Sequence, residues 1–217
     1  TLEFFGLRAN QTLIEITPGA GWYSELLAPL LKDQGHYIAA VQAPSSSAYA
    51  RTSEENLKKK FAADPAHYAK AGFAEFDPKA PVLGKPGSAD TVLTFRNVHN
   101  WVMADSAPAM FDAFFKVLKP GGVLGVVDHR AKDGASLEDI KHSGYLTTAY
   151  VVKLATDAGF KREGQSEVNA NPKDTKDYPD GVWTLPPALT LGEKDKAKYV
   201  AIGESDRMTL RFVKPAK

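Results

Sequence analysis

The hydrophobic positions of this chain form short apolar runs that alternate with amphipathic segments of helical period. The runs are rich in β-branched residues and are typical of buried strands. They lie at residues 12–16, 37–41, 90–95, 123–127 and 208–213, with a weak third run at residues 72–76, and a sixth strand is predicted around residues 164–168. This alternation predicts a mostly parallel sheet with helices on both faces. The last two runs follow each other without a periodic helix between them, which predicts an antiparallel last strand.

The segments between the strands carry start and stop signals of helices. The apolar residues of the first such segment are Trp22, Leu26, Leu27, Leu30 and Leu31. Pro29 lies inside this helix and should kink it. Another helix starts at about Ser106 and ends at residues 119–122, Lys-Pro-Gly-Gly, which should turn the chain into the fifth strand. Residues 136–139 form a capping box that opens a further helical region, ending near Gly159.

The length of 217 residues suits one domain with a sizeable core, and we interpret residues 1–217 as a single domain. Residues 169–190 are rich in Pro, Asp, Asn and Lys and show no periodicity, so they predict a long surface loop. Tyr178 and Trp183 in this loop either form a lid over a substrate or pin the loop to the body of the domain.

Composition and charge narrow the possible partners. The formal net charge of +1 predicts neither a nucleic-acid partner nor an anionic membrane partner, and we interpret the lysine run at residues 58–60 as a solvated helix face. No apolar run approaches the roughly 20 residues of a membrane span. The absence of cysteine excludes disulfides, thiolate metal sites and cysteine nucleophiles. Because the chain begins at Thr1, a segment upstream was processed or trimmed, and a removed export signal is one option.

A glycine-rich turn, Thr17-Pro18-Gly19-Ala20-Gly21, follows the first strand. Glycine lets the backbone approach a ligand closely, and the helix N-terminus beside the turn offers free N–H groups. In open α/β sheets, ligands bind at the carboxyl ends of the strands. The turn therefore indicates a ligand site, or else a turn needed only to pack the strand against the helix.

Three segments resemble those of class I S-adenosylmethionine-dependent methyltransferases. Residues 13–21 resemble the family's first motif, and residues 90–93 with 98–101 resemble its fourth-strand segment. Residues 115–124 contain Leu-Lys-Pro-Gly-Gly and are similar to the turn into its fifth strand. The resemblance covers residues 12–213 and is nearest to small bacterial predicted methyltransferases with a Gly-Trp-Tyr sequence after the loop. Members of that group are often made with export signals, so a periplasmic location is an alternative to the cytoplasm.

The resemblance implies a Rossmann-like, doubly wound, seven-stranded sheet and S-adenosylmethionine as the cofactor. It also implies an enzyme that methylates a small molecule. In this family, Glu15 would orient the loop or meet the methionine amine, and Asp77 would contact the adenine amino group. The implied cofactor-binding residues are Glu15, Thr17, Gly19, Ala20, Gly21, Gln42, Asp77, Arg96 and Asn97.

Two departures from the family pattern leave alternatives open. Thr17 stands where the family usually has glycine, and Gln42 stands where an acidic residue accepts bonds from the ribose hydroxyls. The amide of Gln42 can accept one such bond without the strengthening charge. A non-catalytic binding protein is therefore one alternative. An NAD-dependent oxidoreductase is another, although its fingerprint places Trp22 or Ser24 at the third small position.

Polar residues at the ends of the fourth and fifth strands are the candidates for chemistry. His99 is the candidate general base or substrate-orienting group, since a neutral imidazole accepts a proton near pH 7. Asp128 would hold His99 or His129 in one tautomer, and Arg96 with Arg130 would anchor an anionic substrate. The alternatives are a histidine bonded only to backbone and a surface ion pair. The spacing of Asp128, His129 and His142 matches no metal-ligand motif, so no metal site is predicted.

Overall fold

The strands of the sheet are described by a computed structural model that covers residues 1–216. They are β1 (Thr12–Ile16), β2 (His36–Gln42), β3 (Gly72–Phe76), β4 (Ala89–Phe95), β5 (Leu118–His129), β6 (Lys161–Ser166) and β7 (Arg207–Val213). They form one seven-stranded sheet in the order β3-β2-β1-β4-β5-β7-β6. The neighbours from β3 to β5 are parallel, and β7 runs antiparallel to both β5 and β6. The predicted doubly wound, Rossmann-like sheet with an antiparallel last strand is confirmed.

Helices connect the strands and cover both faces of the sheet. They are α1 (Ser24–Leu31), α2 (Ala48–Ala63), α3 (Pro65–Tyr68), α4 (Val98–Met103), α5 (Ala107–Val117), α6 (Leu137–Ser143), α7 (Thr148–Asp157) and α8 (Lys196–Ile202), with a 3-10 turn at Gly181–Thr184. Alternate residues of β1 serve the two faces, because Ile14 and Ile16 join one apolar cluster and Leu13 joins the other. None of the helices described is long and apolar enough to cross a bilayer.

Helix α1 buries only part of its predicted apolar stripe. Leu27 and Leu31 are buried, whereas Trp22, Leu26 and Leu30 are 64%, 49% and 44% exposed. The two sets lie on different faces, since residues four apart share a face of a helix. Pro29 lies within this eight-residue helix, as predicted.

Strand β5 starts at Leu118 rather than at residue 123, so the Lys-Pro-Gly-Gly segment is part of the strand. The segment pairs with the chain after β7. Gly121 N–H donates to the Lys214 carbonyl at 2.8 Å, and Lys214 N–H donates to the Gly122 carbonyl at 2.9 Å. The predicted turn was wrong in its extent, because this long-range pairing makes the segment part of the strand, although Gly121 has a left-handed φ of 78°.

The capping box of Ser136 and Asp139 is confirmed at the start of α6. The helical region that follows is interrupted, because Gly144 ends α6 with a left-handed φ of 72°. Strand β6 occupies Lys161–Ser166 rather than residues 164–168, and α8 was not predicted. Residues 169–190 hold the 3-10 turn and the buried Asp174 and Thr184, so this segment is more than a surface loop.

The N-terminal residues pack on the sheet at Gly125 of β5. A Cβ atom added at Gly125 would lie 2.5 Å from Leu93 Cδ2 and 2.9 Å from the ring of Phe5. We expect Gly125→Ala to lower the free energy of unfolding by about 1–3 kcal/mol, because buried atoms would have to move. Chemical denaturation checks this, with Gly134→Ala as a control that has open space but also a left-handed φ. A Gly125→Ala chain as stable as the wild type would contradict the packing of Phe5 on β5.

Candidate functional site

The carboxyl ends of β1, β2, β4 and β5 meet at one edge of the sheet, where the strand order reverses between β1 and β4. The predicted site residues lie on the segments that leave these ends. Because β7 is antiparallel, the residues that precede it also reach this edge. This edge is the candidate functional site.

The glycine-rich turn is held in an unusual backbone conformation. Thr17, Gly19 and Gly21 have φ values of 50°, 60° and 76°, in the left-handed region. Thr17 therefore carries strain that the family's usual glycine avoids. Its N–H donates to the Ala40 carbonyl at 2.7 Å, which ties the turn to β2. Ala20, at the outer side of the turn, is exposed.

The lysine run on α2 is not merely a solvated face. Lys60 Nζ donates to the carbonyl oxygens of Ala20 and Gly21 at 2.9 and 3.2 Å. Lys58 Nζ lies 2.5 Å from a carboxylate oxygen of the buried Glu54. The sequence interpretation was wrong for these two lysines, since α2 packs beside the turn and brings Lys60 to it, while Lys58 pairs with Glu54.

Glu15 lies beneath the turn and bonds to the chain itself. Its Oε2 accepts from Tyr37 OH at 2.6 Å and from Ser24 Oγ at 3.2 Å. Burial raises the pKa of Glu15 to about 7, against the lowering effect of these two hydrogen bonds. Glu15 thus connects β1 to β2 and to the start of α1.

Two cavities meet at Gln42, at the end of β2. A recess of about 20 Å³ is lined by Thr17, Gly19, Gln42, Glu54 and other residues of the turn and α2. A wider cavity of about 410 Å³ is lined by Gln42 and Asp77, together with residues 45–47 and the start of α5. The structure therefore brings Gln42 and Asp77 to one cavity beside the glycine-rich turn.

At the end of β4, the structure separates Arg96 from Asn97. Arg96 is exposed and has a φ of 60°. Asn97 is buried, and its Nδ2 donates to the Ile16 carbonyl at 2.9 Å, which links β4 to β1. Beside them, the rings of Tyr23 and Phe95 stack with centroids 3.5 Å apart.

Asp128, at the end of β5, is fully buried and receives several N–H donors. Its Oδ2 accepts from Val98 N–H at 2.7 Å, and its Oδ1 accepts from His129 N–H at 2.8 Å. His99 Nδ1 lies 2.9 Å from Oδ1. Burial raises the pKa of Asp128, but the charge and the hydrogen bond of His99 outweigh it and hold the value below its usual range.

An ionised Asp128 can only accept, so His99 Nδ1 is the donor in this contact and Nε2 is the nitrogen left for another partner. The carboxylate also caps the N-terminus of α4, since Val98 is the first residue of that helix. Asp128 thus sets both the orientation and the position of His99.

His129 is the second buried imidazole of the site. Its Nδ1 lies 2.6 Å from Ser205 Oγ, and its ring centroid lies 5.0 Å from that of His99. Burial lowers the pKa of His129 to about 3, so the ring is neutral at pH 7. One ligand atom each from His99, Asp128 and His129 lie within 4.8 Å of one another, but both Asp128 oxygens already accept N–H bonds. Only the histidine nitrogens not bonded to Asp128 or Ser205 are available to a metal ion.

His142 does not join this cluster. It is exposed and pairs with Glu138 at 2.8 Å on α6. The set of Asp128, His129 and His142 weighed from the sequence is therefore not brought together, and His99 takes the place of His142.

Arg130 follows β5 and is committed to an ion pair. Its Nε and Nη2 donate to the two oxygens of Asp206 at 2.9 and 2.8 Å, and Lys176 pairs with the same carboxylate at 2.7 Å. Burial raises the pKa of Asp206, but the bonds from Arg130 and Lys176 outweigh it and lower the value to about 2. Arg130 thus forms an ion pair, as one interpretation of the sequence had it, but the pair is largely buried rather than at the surface.

Asp174, Ser205 and Asp206 also lie at this site and were not predicted from the sequence. Tyr145 OH donates to both oxygens of Asp174 at 3.0 Å, and Asp206 N–H donates to Asp174 at 2.7 Å. The available signal was the antiparallel last strand, because residues just before such a strand lie with the carboxyl ends of the parallel strands.

Residues 169–190 are pinned to the body of the domain. Trp183 packs against Gly144, and its ring centroid lies 6.2 Å from that of His99. The rings of Tyr178 and Tyr199 pack edge to face, with centroids 5.9 Å apart. A cavity of about 530 Å³ lies beside this segment and is lined by residues that include Ala131, Tyr145 and Tyr178.

No protein-family model and no curated protein sequence matches the chain. Solved structures that are similar to it share the Rossmann-like fold of S-adenosylmethionine-dependent methyltransferases. One, from Aquifex aeolicus, is 14% identical over 98% of this chain and 87% of its own, with a TM-score of 0.63. A putative methyltransferase from Bacillus halodurans is 13% identical over 99% of this chain and 97% of its own, with a TM-score of 0.64.

Another similar structure is the cyclase SpnF. It is 14% identical over all of this chain and 78% of its own, with a TM-score of 0.65. At these identities the likeness shows the fold, which serves more than one reaction. The likeness thus establishes that this chain has the fold of class I methyltransferases. It does not establish an activity.

Proposed function

We propose that this protein binds S-adenosylmethionine and transfers its methyl group to a small molecule. The observation that carries the proposal is the pair of cavities at Gln42, which joins the glycine-rich turn to Asp77 at the carboxyl ends of β1 and β2. In a sheet of this order, this is the edge where ligands bind. We propose that Thr17, Gly19, Ala20, Gly21, Gln42, Asp77, Arg96 and Asn97 hold the cofactor, with Glu15 supporting the turn.

The bound cofactor would supply an electrophilic methyl group, and the chain would align the acceptor with it. Alignment accounts for much of the rate of such a transfer. We propose that Nε2 of His99 orients the acceptor or takes its proton, while Asp128 holds His99 in place. The cavity of about 530 Å³ beside Tyr145 and Tyr178 has the volume of a small-molecule site.

A second candidate is a non-catalytic binding protein that keeps the same fold but has lost tight binding of S-adenosylmethionine. The observation that favours it is Gln42, which offers a neutral amide where a carboxylate would strengthen the bond to a ribose hydroxyl. Calorimetric titration separates the two candidates. The methyltransferase should bind S-adenosylmethionine and S-adenosylhomocysteine in the micromolar range and should not bind NAD. Lack of binding to the first two ligands would exclude the proposed enzyme.

We expect Asp77→Ala to weaken S-adenosylhomocysteine binding about 5- to 10-fold, the loss of one hydrogen bond to the adenine amino group. Asp77 is exposed at the wide cavity, so the fold should not change. Asp112→Ala, an exposed change on α5, is the control. Equal affinities of both variants and the wild type would remove Asp77 from the site.

A further inference from the structure

Helix α2 buries a carboxylate within its apolar face. Its buried residues are Ala50, Glu54, Leu57 and Phe61, and Glu54 is only 4% exposed. A buried carboxylate is costly unless it is paired and accepts hydrogen bonds. The position of Glu54 therefore needs a reason beyond packing.

The partners of Glu54 within the chain are incomplete. Lys58, one helical turn away and half-exposed, forms an ion pair with Oε1. Lys58 Nζ lies 2.5 Å from this oxygen at an angle outside hydrogen-bond geometry, and no other donor among residues 1–216 reaches it, whereas a carboxylate can accept several bonds. Glu54 lines the recess of about 20 Å³ that it shares with Gln42 and Thr17. The carboxylate is thus placed at the wall of a cavity with hydrogen-bonding capacity left over.

Thr17 supplies an independent observation at the same place. Its Oγ1 is buried and has no hydrogen-bond partner among the residues described. Of the four such side-chain atoms in the part of the chain described, those of Thr17 and Glu54 both belong to the lining of this recess. A buried hydroxyl without a partner is rare, and beside a buried carboxylate whose one partner is the Lys58 ammonium it indicates a missing ligand group.

The size of the recess limits what that group can be. A volume of about 20 Å³ suits a single water or hydroxyl group and is too small for a sugar ring. The wide cavity beside it, which shares Gln42, has a volume of about 410 Å³. A ligand in the wide cavity can therefore place one hydroxyl in the recess and another against Gln42.

We propose that Glu54 and Thr17 bind a ribose hydroxyl, so that α2 supplies the carboxylate that is absent at position 42 of β2. This assignment rests on the proposed cofactor site, and its ligand class is a ribosylated molecule with a vicinal diol. Glu54 accepts a hydrogen bond from one hydroxyl, Thr17 Oγ1 completes the hydrogen bonding of that oxygen, and the Gln42 amide oxygen accepts from the neighbouring hydroxyl.

The test compares the affinities of the wild type, Glu54→Gln and Glu55→Gln for four ligands. The ligands are S-adenosylhomocysteine, adenosine, 2′-deoxyadenosine and 3′-deoxyadenosine, and Glu55 is the exposed neighbour on α2. Glu54→Gln should weaken binding of the first two about 10- to 100-fold, as expected for a hydrogen bond to a charged group. The deoxy analogue that lacks the bound hydroxyl should bind equally to Glu54→Gln and the wild type. Glu55→Gln should leave all four affinities within about 2-fold, since an exposed acid makes little difference.

Two further variants guard against a loss of binding caused by misfolding. Thr17→Val keeps the branched shape and removes only the unpartnered hydroxyl, so the unliganded protein should melt no lower than the wild type. It should still bind adenosine more weakly. Adding Gln42→Glu to Glu54→Gln should recover part of the lost affinity, because the carboxylate then approaches the diol from β2.

The outcomes separate this assignment from the proposed cofactor. An equal loss of affinity for all four ligands in Glu54→Gln would overturn the role of Glu54 while leaving cofactor binding intact. Binding of adenosine that depends on Glu54, without binding of S-adenosylhomocysteine, would support the ribose site and overturn the proposed methyltransferase. A wild type that binds none of the four ligands would overturn both.

Discussion

Replacing Asp128 with alanine is expected to lower the free energy of unfolding by about 3–5 kcal/mol. The carboxylate is fully buried and accepts from Val98 N–H, His129 N–H and the His99 ring. Without it, two backbone donors and an imidazole would stay buried with no acceptor, and each such group costs about 1–3 kcal/mol. The start of α4 would also lose its cap, which typically contributes about 1 kcal/mol.

Urea denaturation of three variants at pH 7 tests the role of Asp128. Asp128→Asn keeps one acceptor oxygen and should lose less stability than Asp128→Ala. Asp133→Ala, an exposed change in the following loop, should stay within about 0.5 kcal/mol of the wild type. A loss of less than about 1 kcal/mol in Asp128→Ala would mean that the donors find water and that Asp128 does not organise the site.

The fold could be predicted because its signals are local. The apolar runs that form β1, β4 and β7 are contiguous, and a buried strand needs little else to be recognised. The segment at residues 119–122 was wrongly predicted as a turn because its strand partner, Lys214, is far away in the sequence. Likewise, nothing near α1 shows that Leu27 faces the sheet while Leu26 faces solvent.

In the candidate site, too, the features with local signals could be predicted and those that depend on long-range packing could not. His99 and Asp128 were predicted as a pair because the ends of adjacent parallel strands meet at one edge, and the structure joins them at 2.9 Å. The burial of Glu54 and the bonds of Lys60 to the turn depend on how α2 packs, which charge pattern alone does not reveal. Asp206 was missed because it precedes its strand, and only the antiparallel direction of β7 brings it to the site.

The buried Glu15 should make the stability of the folded chain fall as the pH rises. Its pKa is raised by burial from an ordinary value of 4.5 to about 7. Between these two values the folded chain keeps the proton and the unfolded chain releases it, so the unfolding free energy decreases with pH. At about 1.4 kcal/mol for each pH unit, the loss amounts to about 3 kcal/mol and is complete above pH 7.

His129 has the opposite effect on the unfolding free energy over much of the same pH range. Burial lowers its pKa from 6.5 to about 3, so the unfolded chain binds the extra proton and stability falls as the pH drops below 6.5. The pH profile of the wild type therefore combines two opposing slopes. Only a comparison with a variant at Glu15 isolates the contribution of this carboxyl, because His129 is present in both chains.

Glu15→Gln removes the titration and keeps a side chain of the same shape that can still accept from Tyr37 and Ser24. Its unfolding free energy relative to the wild type should rise by about 3 kcal/mol between pH 4 and pH 8, which favours the variant at high pH. Urea denaturation at half-unit steps of pH measures this difference, and Glu55→Gln, with an exposed acid, should show none. A difference that does not change with pH would mean that Glu15 has the same pKa in the folded and unfolded chains, with Tyr37 and Ser24 solvating the charge. Glu15 would then be ionised at neutral pH like an ordinary carboxylate, and the glycine-rich turn would be supported by an anion.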